Sequence, residues 1–167
     1  GRNDTISFTY NSLASFNLKA RGVNEAANLN FTSQSACTLN VVAKAPLLLN
    51  NTGNNDFDQI NITGADLTSS ATSDTILATA FAVNITNNTA GQGMAITTGA
   101  QVIAGTDVTN AALLHGPSSI GDTPEYGTSQ PTNTKGNQTL IFILDVPSGK
   151  AAATYNNTWN ITVVDLS

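Results

Sequence analysis

The amino-acid sequence predicts an all-β fold, specifically a β-sandwich of the immunoglobulin-like or jelly-roll-like, Greek-key kind. Short runs in which apolar and polar residues alternate recur along the 167 residues, and this alternation is typical of strands that bury one face. Ile, Val, Phe and Thr dominate the runs, and Gly, Asn, Asp, Pro and Ser separate them, as turns require. Helix signals are nearly absent. Many short strands joined by turns favour a sandwich.

The alternating runs predict strands in chain order. The clearest cover residues 5–10, 13–21, 28–32, 37–44, 59–63, 75–86, 140–146 and 153–166, of which the last is the longest. Residues 95–98 and 101–104 are weaker candidates, and residues 111–115 fit either a strand or one helical turn. Residues 116–136 are rich in Gly, Pro, Ser and Thr and are expected to form one long surface loop.

Two runs lack the alternation. Residues 140–144 are apolar at every position, and Pro46 is followed by three leucines. A strand that is apolar on both faces is buried on both sides or covered by another chain. The pattern therefore predicts central core strands. The alternative is a strand that lines a groove for a segment of a partner chain.

Asn-x-Thr triplets are the most unusual feature of the sequence. Chance placement of 21 Asn and 24 Thr gives about three such triplets, whereas the chain has nine and no Asn-x-Ser. This triplet is the acceptor sequon for N-glycans on the secretory or extracytoplasmic side. The alternative is that Asn and Thr are simply common in a polar β-protein. We expect a heavy sugar coat on Asn3, Asn30, Asn50, Asn61, Asn84, Asn87, Asn137, Asn156 and Asn160.

The sequons fit the predicted strands. Side chains of a strand alternate between its faces, so Asn and Thr of a sequon share one face and the middle residue points the other way. In four sequons the middle residue is strongly apolar, namely Phe31, Ile62, Ile85 and Ile161. In residues 153–166, the same alternation points four side chains inward, namely Tyr155, Trp159, Ile161 and Val163. It turns the other set to solvent, Asn156, Thr158, Asn160 and Thr162.

A second run shows the same arrangement, with an inward set of Leu77, Phe81, Val83 and Ile85. Sugars are thus expected on the solvent faces of sheets. The sequons at Asn50, Asn87 and Asn137 have the surroundings of turns instead.

Composition excludes several classes of partner. Charged residues make up 10% of the chain and the net charge is −5, against about 25% charged residues in a typical soluble domain. There is no basic patch, so nucleic acid and anionic membranes are not expected as partners. No apolar run approaches the ~18 residues of a membrane span. Because the chain begins at Gly1 without Met, we interpret it as a mature product after signal removal.

The sequence offers no catalytic constellation. His115 is the only histidine and Cys37 the only cysteine, so neither a His/Cys metal cluster nor a Ser-His-Asp arrangement is expected. Cys37 shares a face with apolar neighbours and is expected to be buried, and the alternative is an intermolecular or reactive thiol. Asn54, Asp56 and Asp58 alternate like calcium ligands, but the glycine and distal glutamate of a calcium loop are missing. We expect a non-enzyme without metal or cofactor, apart from covalent N-glycans.

The first strand has features of a donor strand. Ile6, Phe8 and Tyr10 alternate on one face at the end of the chain, and Asn11-Ser12 follows as a polar break. Such a strand either completes its own sheet or leaves its domain and adds to a sheet of a neighbour. The second choice divides the chain into residues 1–12, a protruding N-terminal donor strand with its hinge, and residues 13–167, one β-sandwich domain.

With its sequon density, its lack of disulfides and this first strand, the chain resembles subunits of archaeal surface filaments, the threads and bundling pili. The ending also resembles the last strand of secreted pilin and adhesin sandwiches, since Val146-Pro-Ser-Gly precedes a Tyr-containing strand. The resemblance implies head-to-tail homopolymers on the cell surface, joined by donor-strand complementation through Ile6, Phe8 and Tyr10. It also implies a role in adhesion or biofilm formation.

Other functions stay open as alternatives. A non-filamentous cell-surface or S-layer-type glycoprotein domain predicts that residues 5–10 pair within their own sheet. A carbohydrate-binding module needs exposed aromatic residues on one face, and most of the aromatic residues here alternate as core. An enzyme is the last alternative, and it is not expected because the sequence offers no catalytic constellation.

Overall fold

The computed structural model of the chain describes residues 15–20, 28–53, 57–85, 93–104, 106 and 136–164. Within these ranges the chain is built from short β-strands and one 3₁₀ turn, Ala78–Ala80. None of the described residues forms a helix long and apolar enough to cross a membrane. The strands are β1 Phe16–Ala20, β2 Val41–Val42, β3 Leu47–Asn51, β4 Gln59–Thr63, β5 Leu67–Thr68, β6 Thr75–Ile76, β7 Phe81–Asn84, β8 Met94–Ala95, β9 Gln101–Val102, β10 Asn137–Leu144 and β11 Asn160–Val164.

The larger sheet is organised around β10. Its strands follow the order β1-β3-β10-β7-β8, and β2 also pairs with β10. Strands β3 and β2 lie on the same side of β10, opposite its first and second halves respectively. Between them stands Pro46, which has no backbone N–H to donate to the ladder. All these pairs are antiparallel.

A smaller antiparallel sheet lies against the larger one. Its order is β11-β4-β9, and β5 and β6 form a separate two-stranded ribbon. Apolar side chains from both sheets join one buried cluster, including Leu49 and Phe142 of the larger sheet and Ile60 and Ile62 of the smaller. Two antiparallel sheets on one core are consistent with the predicted β-sandwich.

The runs that are apolar at every position are buried on both faces, as predicted for central strands. Leu49 and Leu140 face the shared core and have no exposed surface. Leu48 and Ile143 face the other way, lie outside the core cluster, and are still only 7% and 4% exposed. Because both faces are buried, β3 and β10 exclude water more completely than the strands of the smaller sheet.

Several sequence-based boundaries are wrong. The predicted strand 37–44 shrinks to β2, because Cys37 and Asn40 adopt the left-handed conformation with φ of 63° and 59°. The predicted strand 28–32 is not a strand in the structure and is not part of a described ladder. The strand expected over residues 153–166 begins only at Asn160 in the part of the chain that is described.

Burial also corrects the prediction in three places. Cys37 is exposed rather than buried, and its neighbour Leu39 is 66% exposed, because the left-handed turn carries both outward. Leu77 is 55% exposed rather than inward, since the 3₁₀ turn that follows it interrupts the predicted strand 75–86. The rest of that inward set packs as predicted: Phe81 and Val83 belong to the core, and Ile85 packs against it.

Candidate functional site

In the described part of the chain, a groove lies between β1, at one edge of the larger sheet, and β11, at one edge of the smaller sheet. In the described part of the chain, β1 pairs with β3 alone and β11 pairs with β4 alone, so each is an edge strand of its sheet. Residues 28–31 continue the first edge beyond the end of β1, and the carbonyl of Asn30 accepts a hydrogen bond from the Lys44 N–H (2.8 Å). Residues 155–159 continue the second edge before β11. The groove runs between these two edges.

The groove is a cavity of about 410 Å³ with a largely apolar lining. Leu18 of β1 and Leu47 of β3 line it from the larger sheet, and Ile62 of β4 and Ile161 of β11 from the smaller. These side chains occupy the inward positions of their strands, as the alternation of each strand dictates. The further lining residues are Asn28, Leu29, Phe31, Leu67, Phe81, Phe142, Tyr155, Asn156, Asn157, Thr158 and Trp159.

Aromatic rings make up much of the groove lining. Phe31 and Trp159 both pack edge-on against Phe81, with ring centroids 5.5 and 5.0 Å apart. Trp159 also contacts Phe142 at 6.2 Å in a tilted arrangement. Edge-to-face pairs of this kind add to the free energy of burial because ring edges are positive and ring faces negative. They give the groove an apolar lining held in fixed positions.

Hydrogen bonds hold the β11 side of the groove. Trp159 donates from Nε1 to the carbonyl of Ala65 (2.7 Å), and the side-chain amide of Asn157 donates to the carbonyl of Asp66 (2.6 Å). Asn156 exchanges two backbone hydrogen bonds with Thr68. The segment before β11 is therefore fixed to the β4–β5 connection although it is not a regular strand.

The two edges leave strand-pairing positions open in the described part of the chain. The outer edge of an edge strand carries N–H and C=O groups that no neighbouring strand satisfies. An added strand satisfies them and places alternate side chains toward the core. The groove therefore has the chemistry to receive an extended peptide with apolar residues at alternate positions. This architecture was not predictable from sequence, because its lining comes from segments that are far apart in the chain.

Exposure divides the seven sequons whose asparagines the structure describes. Asn30, Asn156 and Asn160 are exposed, and so are the threonines of those three sequons. The asparagines at the other four positions are partly buried, namely Asn50, Asn61, Asn84 and Asn137. The middle residues point inward as predicted: Ile62 is in the core, and Phe31, Ile85 and Ile161 pack against it.

Two of the sequons lie side by side on the smaller sheet. Asn160 is directly opposite Thr63, and Thr162 is directly opposite Asn61, so both sequons share the outer face of the β11–β4 pair. Asn160 and Asn61 are therefore diagonal neighbours, and such pairs are about 7–8 Å apart in an antiparallel sheet. The side-chain oxygen Oδ1 of Asn61 is buried without a hydrogen-bond partner, whereas Asn160 stands at the sheet edge.

A second pair of sequons meets on the larger sheet. Asn50 lies directly opposite Asn137 of β10 on one side and directly opposite Asn17 of β1 on the other. The Asn50 Oδ1 is also buried without a partner. The prediction that Asn50 and Asn137 lie in turns is wrong, since each belongs to a strand.

Several predicted site residues lie outside the described residues. These are the donor-strand residues Ile6, Phe8 and Tyr10, the sequons at Asn3 and Asn87, His115, and two of the weak calcium candidates, Asn54 and Asp56. The remaining calcium candidate, Asp58, is exposed. The residues that the structure does describe contain no group of three or more His, Cys, Asp or Glu placed to hold a metal ion.

Comparison with family models and with curated proteins gives no relative to argue from. No protein-family model matches the chain, and no curated protein matches it either. A function must therefore be argued from the residues and the geometry of the fold.

Proposed function

We propose that the chain is a structural subunit of a glycosylated extracellular filament, a pilus or thread that serves adhesion or biofilm formation. Identical subunits join head to tail, with residues 1–12 of one subunit acting as donor strand and hinge and residues 13–167 of the next providing the sandwich that receives it. The protein has no enzymatic activity and carries covalent N-glycans as its only added group.

The observation that carries this proposal is the apolar groove between β1 and β11. Each of these edge strands has five residues, a length of about 17 Å at ~3.3 Å per residue. A donor strand of residues 5–10 has a similar length. Ile6, Phe8 and Tyr10 recur at the spacing that turns three side chains into such a groove.

The energetics favour this contact. Burying a large apolar side chain contributes roughly 1.5–3 kcal/mol, and three of them are available in each donor strand, in addition to ladder hydrogen bonds. The contact joins two different surfaces, so it does not close on itself and extends into a filament. The nine sequons and the low charge support an extracellular location for it.

Removing the donor strand tests the proposal. A chain lacking residues 1–11 should form no filaments but should bind an added peptide of residues 5–10. A sharper variant is Phe8→Ser in the full chain, matched with Thr9→Ser, whose side chain belongs to the opposite face. Negative-stain electron microscopy should show filaments for Thr9→Ser and single particles for Phe8→Ser.

The alternative, a non-filamentous cell-surface or S-layer-type domain, predicts different images. The intact chain then appears as single particles or flat lattices, because residues 5–10 pair within their own sheet. Filaments that persist after deletion of residues 1–11 contradict the donor-strand proposal directly.

A further inference from the structure

The three sequons that are exposed in the described part of the chain share one location, the border of the groove. Asn30 lies between Leu29 and Phe31, which both line the groove, and Asn156 lines it itself. Asn160 lies between two further lining residues, at positions 159 and 161. The neighbours of Asn30 and Asn160 turn toward the core cluster, while the asparagines stay exposed.

Three of the other four described sequons, those at Asn50, Asn61 and Asn137, are poorly placed to carry sugar in the folded domain. Asn50 and Asn137 lie on the same face of the larger sheet as Leu48, which is buried. Asn61 belongs to the central strand of the smaller sheet, with Thr162 on one side and Val102 on the other. The Oδ1 atoms of Asn50 and Asn61 are buried and both residues are only partly exposed, so a glycosyl donor has less room at these side chains than at fully exposed asparagines.

We infer that Asn30, Asn156 and Asn160 carry glycans in the folded domain and that these glycans surround the rim of the groove and shield the strand seated in it. The occupant of the groove, the N-terminal strand of a second copy, rests on the proposed function. At each site the side-chain Nδ2 forms a bond to C1 of the first sugar. The bond from C1 to the phosphate carrier of an activated glycosyl donor breaks, and the amide loses one proton.

The glycans at the rim have a physical consequence for the strand seated in the groove. At Asn30 and Asn160 a hydrated oligosaccharide leaves the apolar lining free, because the residues on both sides of each asparagine point inward. An extended strand still enters along the groove, whereas a folded protein such as a protease must displace the sugars. The sugars also keep other strands away from the edges of β1 and β11, which are sites for unwanted pairing.

Site occupancy is the first test, measured by glycopeptide mass spectrometry on the full chain from a host that adds N-glycans. We expect sugar on Asn30, Asn156 and Asn160 in most chains and little on Asn50 or Asn61. If Asn50 or Asn61 is occupied as often as the three exposed asparagines, this inference is overturned while the proposed function is unaffected. A chain without any sugar overturns it together with the glycosylated part of the proposed function, and electron microscopy reports separately on the filament.

The second test removes the rim glycans with little change to the protein. Thr32→Ala, Thr158→Ala and Thr162→Ala together abolish the three sequons at exposed positions, and Thr→Ser at the same positions retains them. We expect chymotrypsin to cleave the donor strand of assembled filaments about tenfold faster in the alanine variant. Equal cleavage rates of the alanine and serine variants overturn the inference that the glycans shield the strand. If the alanine variant does not assemble, removal of the N-glycans from intact filaments gives the same comparison.

Discussion

At the residue scale, Gly64 is a position where the core leaves no room for a side chain. It directly follows β4, is buried, and donates its N–H to the carbonyl of Thr97 (2.8 Å). A Cβ at this position overlaps Cγ2 of Ile96 and lies 3.0 Å from the Thr97 carbonyl oxygen. The absence of a side chain thus permits the close approach between the end of β4 and the segment after β8.

The substitution Gly64→Ala should destabilise the fold by about 1–3 kcal/mol, the usual cost of overpacking a core. Gly99 provides a matched control, because a Cβ there meets only the Thr97 hydroxyl oxygen at 3.7 Å. Gly99→Ala should change the free energy of unfolding by less than about 1 kcal/mol. Urea denaturation of both variants checks the difference, and equal stabilities would show that the chain relaxes around the added methyl group.

At the element scale, the position of β10 determines how stability is distributed. It has strand neighbours on both sides and apolar side chains buried on both faces. By contrast, β11 has one described neighbour and exposed residues on its outer face, including Asn160 and Thr162. Opening of β10 therefore exposes more apolar surface and more hydrogen bonds than opening of β11.

Hydrogen exchange should reveal this difference. In a chain kept monomeric by deletion of residues 1–11, amides of Leu140–Leu144 should exchange at least about tenfold more slowly than those of β11. Amide exchange followed by mass spectrometry or NMR measures both segments in one sample. Equal protection of the two strands would mean that the domain opens only as a whole, and the edge position of β11 would then have no energetic consequence.

The elements also show which parts of the fold sequence reasoning reaches. Gln59–Thr63 matches its predicted strand, because its alternation is regular and its Ile residues have one core to face. Residues 37–40 alternate as well, yet they form a turn, since Cys37 and Asn40 adopt the left-handed conformation while Cys37 and Thr38 exchange backbone hydrogen bonds with Val146. Periodicity describes what a strand needs from its side chains and contains no information about such partners, which lie far away in sequence.

The same limit applies to the groove. The single tryptophan was assigned to the inward face by its alternation, and the structure confirms that it packs against the core. Its neighbours in the groove come from β1, β3, β4 and β7, and their meeting depends on strand order. The sequons were visible in the sequence, whereas their division into exposed and partly buried sites required the register of the sheets.

At the scale of the whole molecule, the domain combines a covered core with few charges. Because only 10% of the residues are charged, charged side chains cover little of the surface, so other groups must also limit uncontrolled association. Polar Asn and Thr on outer strand faces serve that purpose in part, and the glycans inferred at the groove rim would extend it. Under the proposed function, association is then confined to one contact, the donor strand in its groove.

That contact should raise the thermal stability of the domain that receives the strand. A ligand that binds only the folded state stabilises it by about 2.7 kcal/mol at a hundred times its Kd. In the full chain made monomeric by Ile6→Ser and Phe8→Ser, added peptide of residues 5–10 should therefore raise the melting temperature as its concentration increases. A peptide of the same composition, with its three apolar residues moved to consecutive positions, should have no effect, because a strand can turn only alternate side chains into the groove. Equal stabilisation by both peptides in calorimetry would show that general apolar contact, rather than the alternation of Ile6, Phe8 and Tyr10, drives binding.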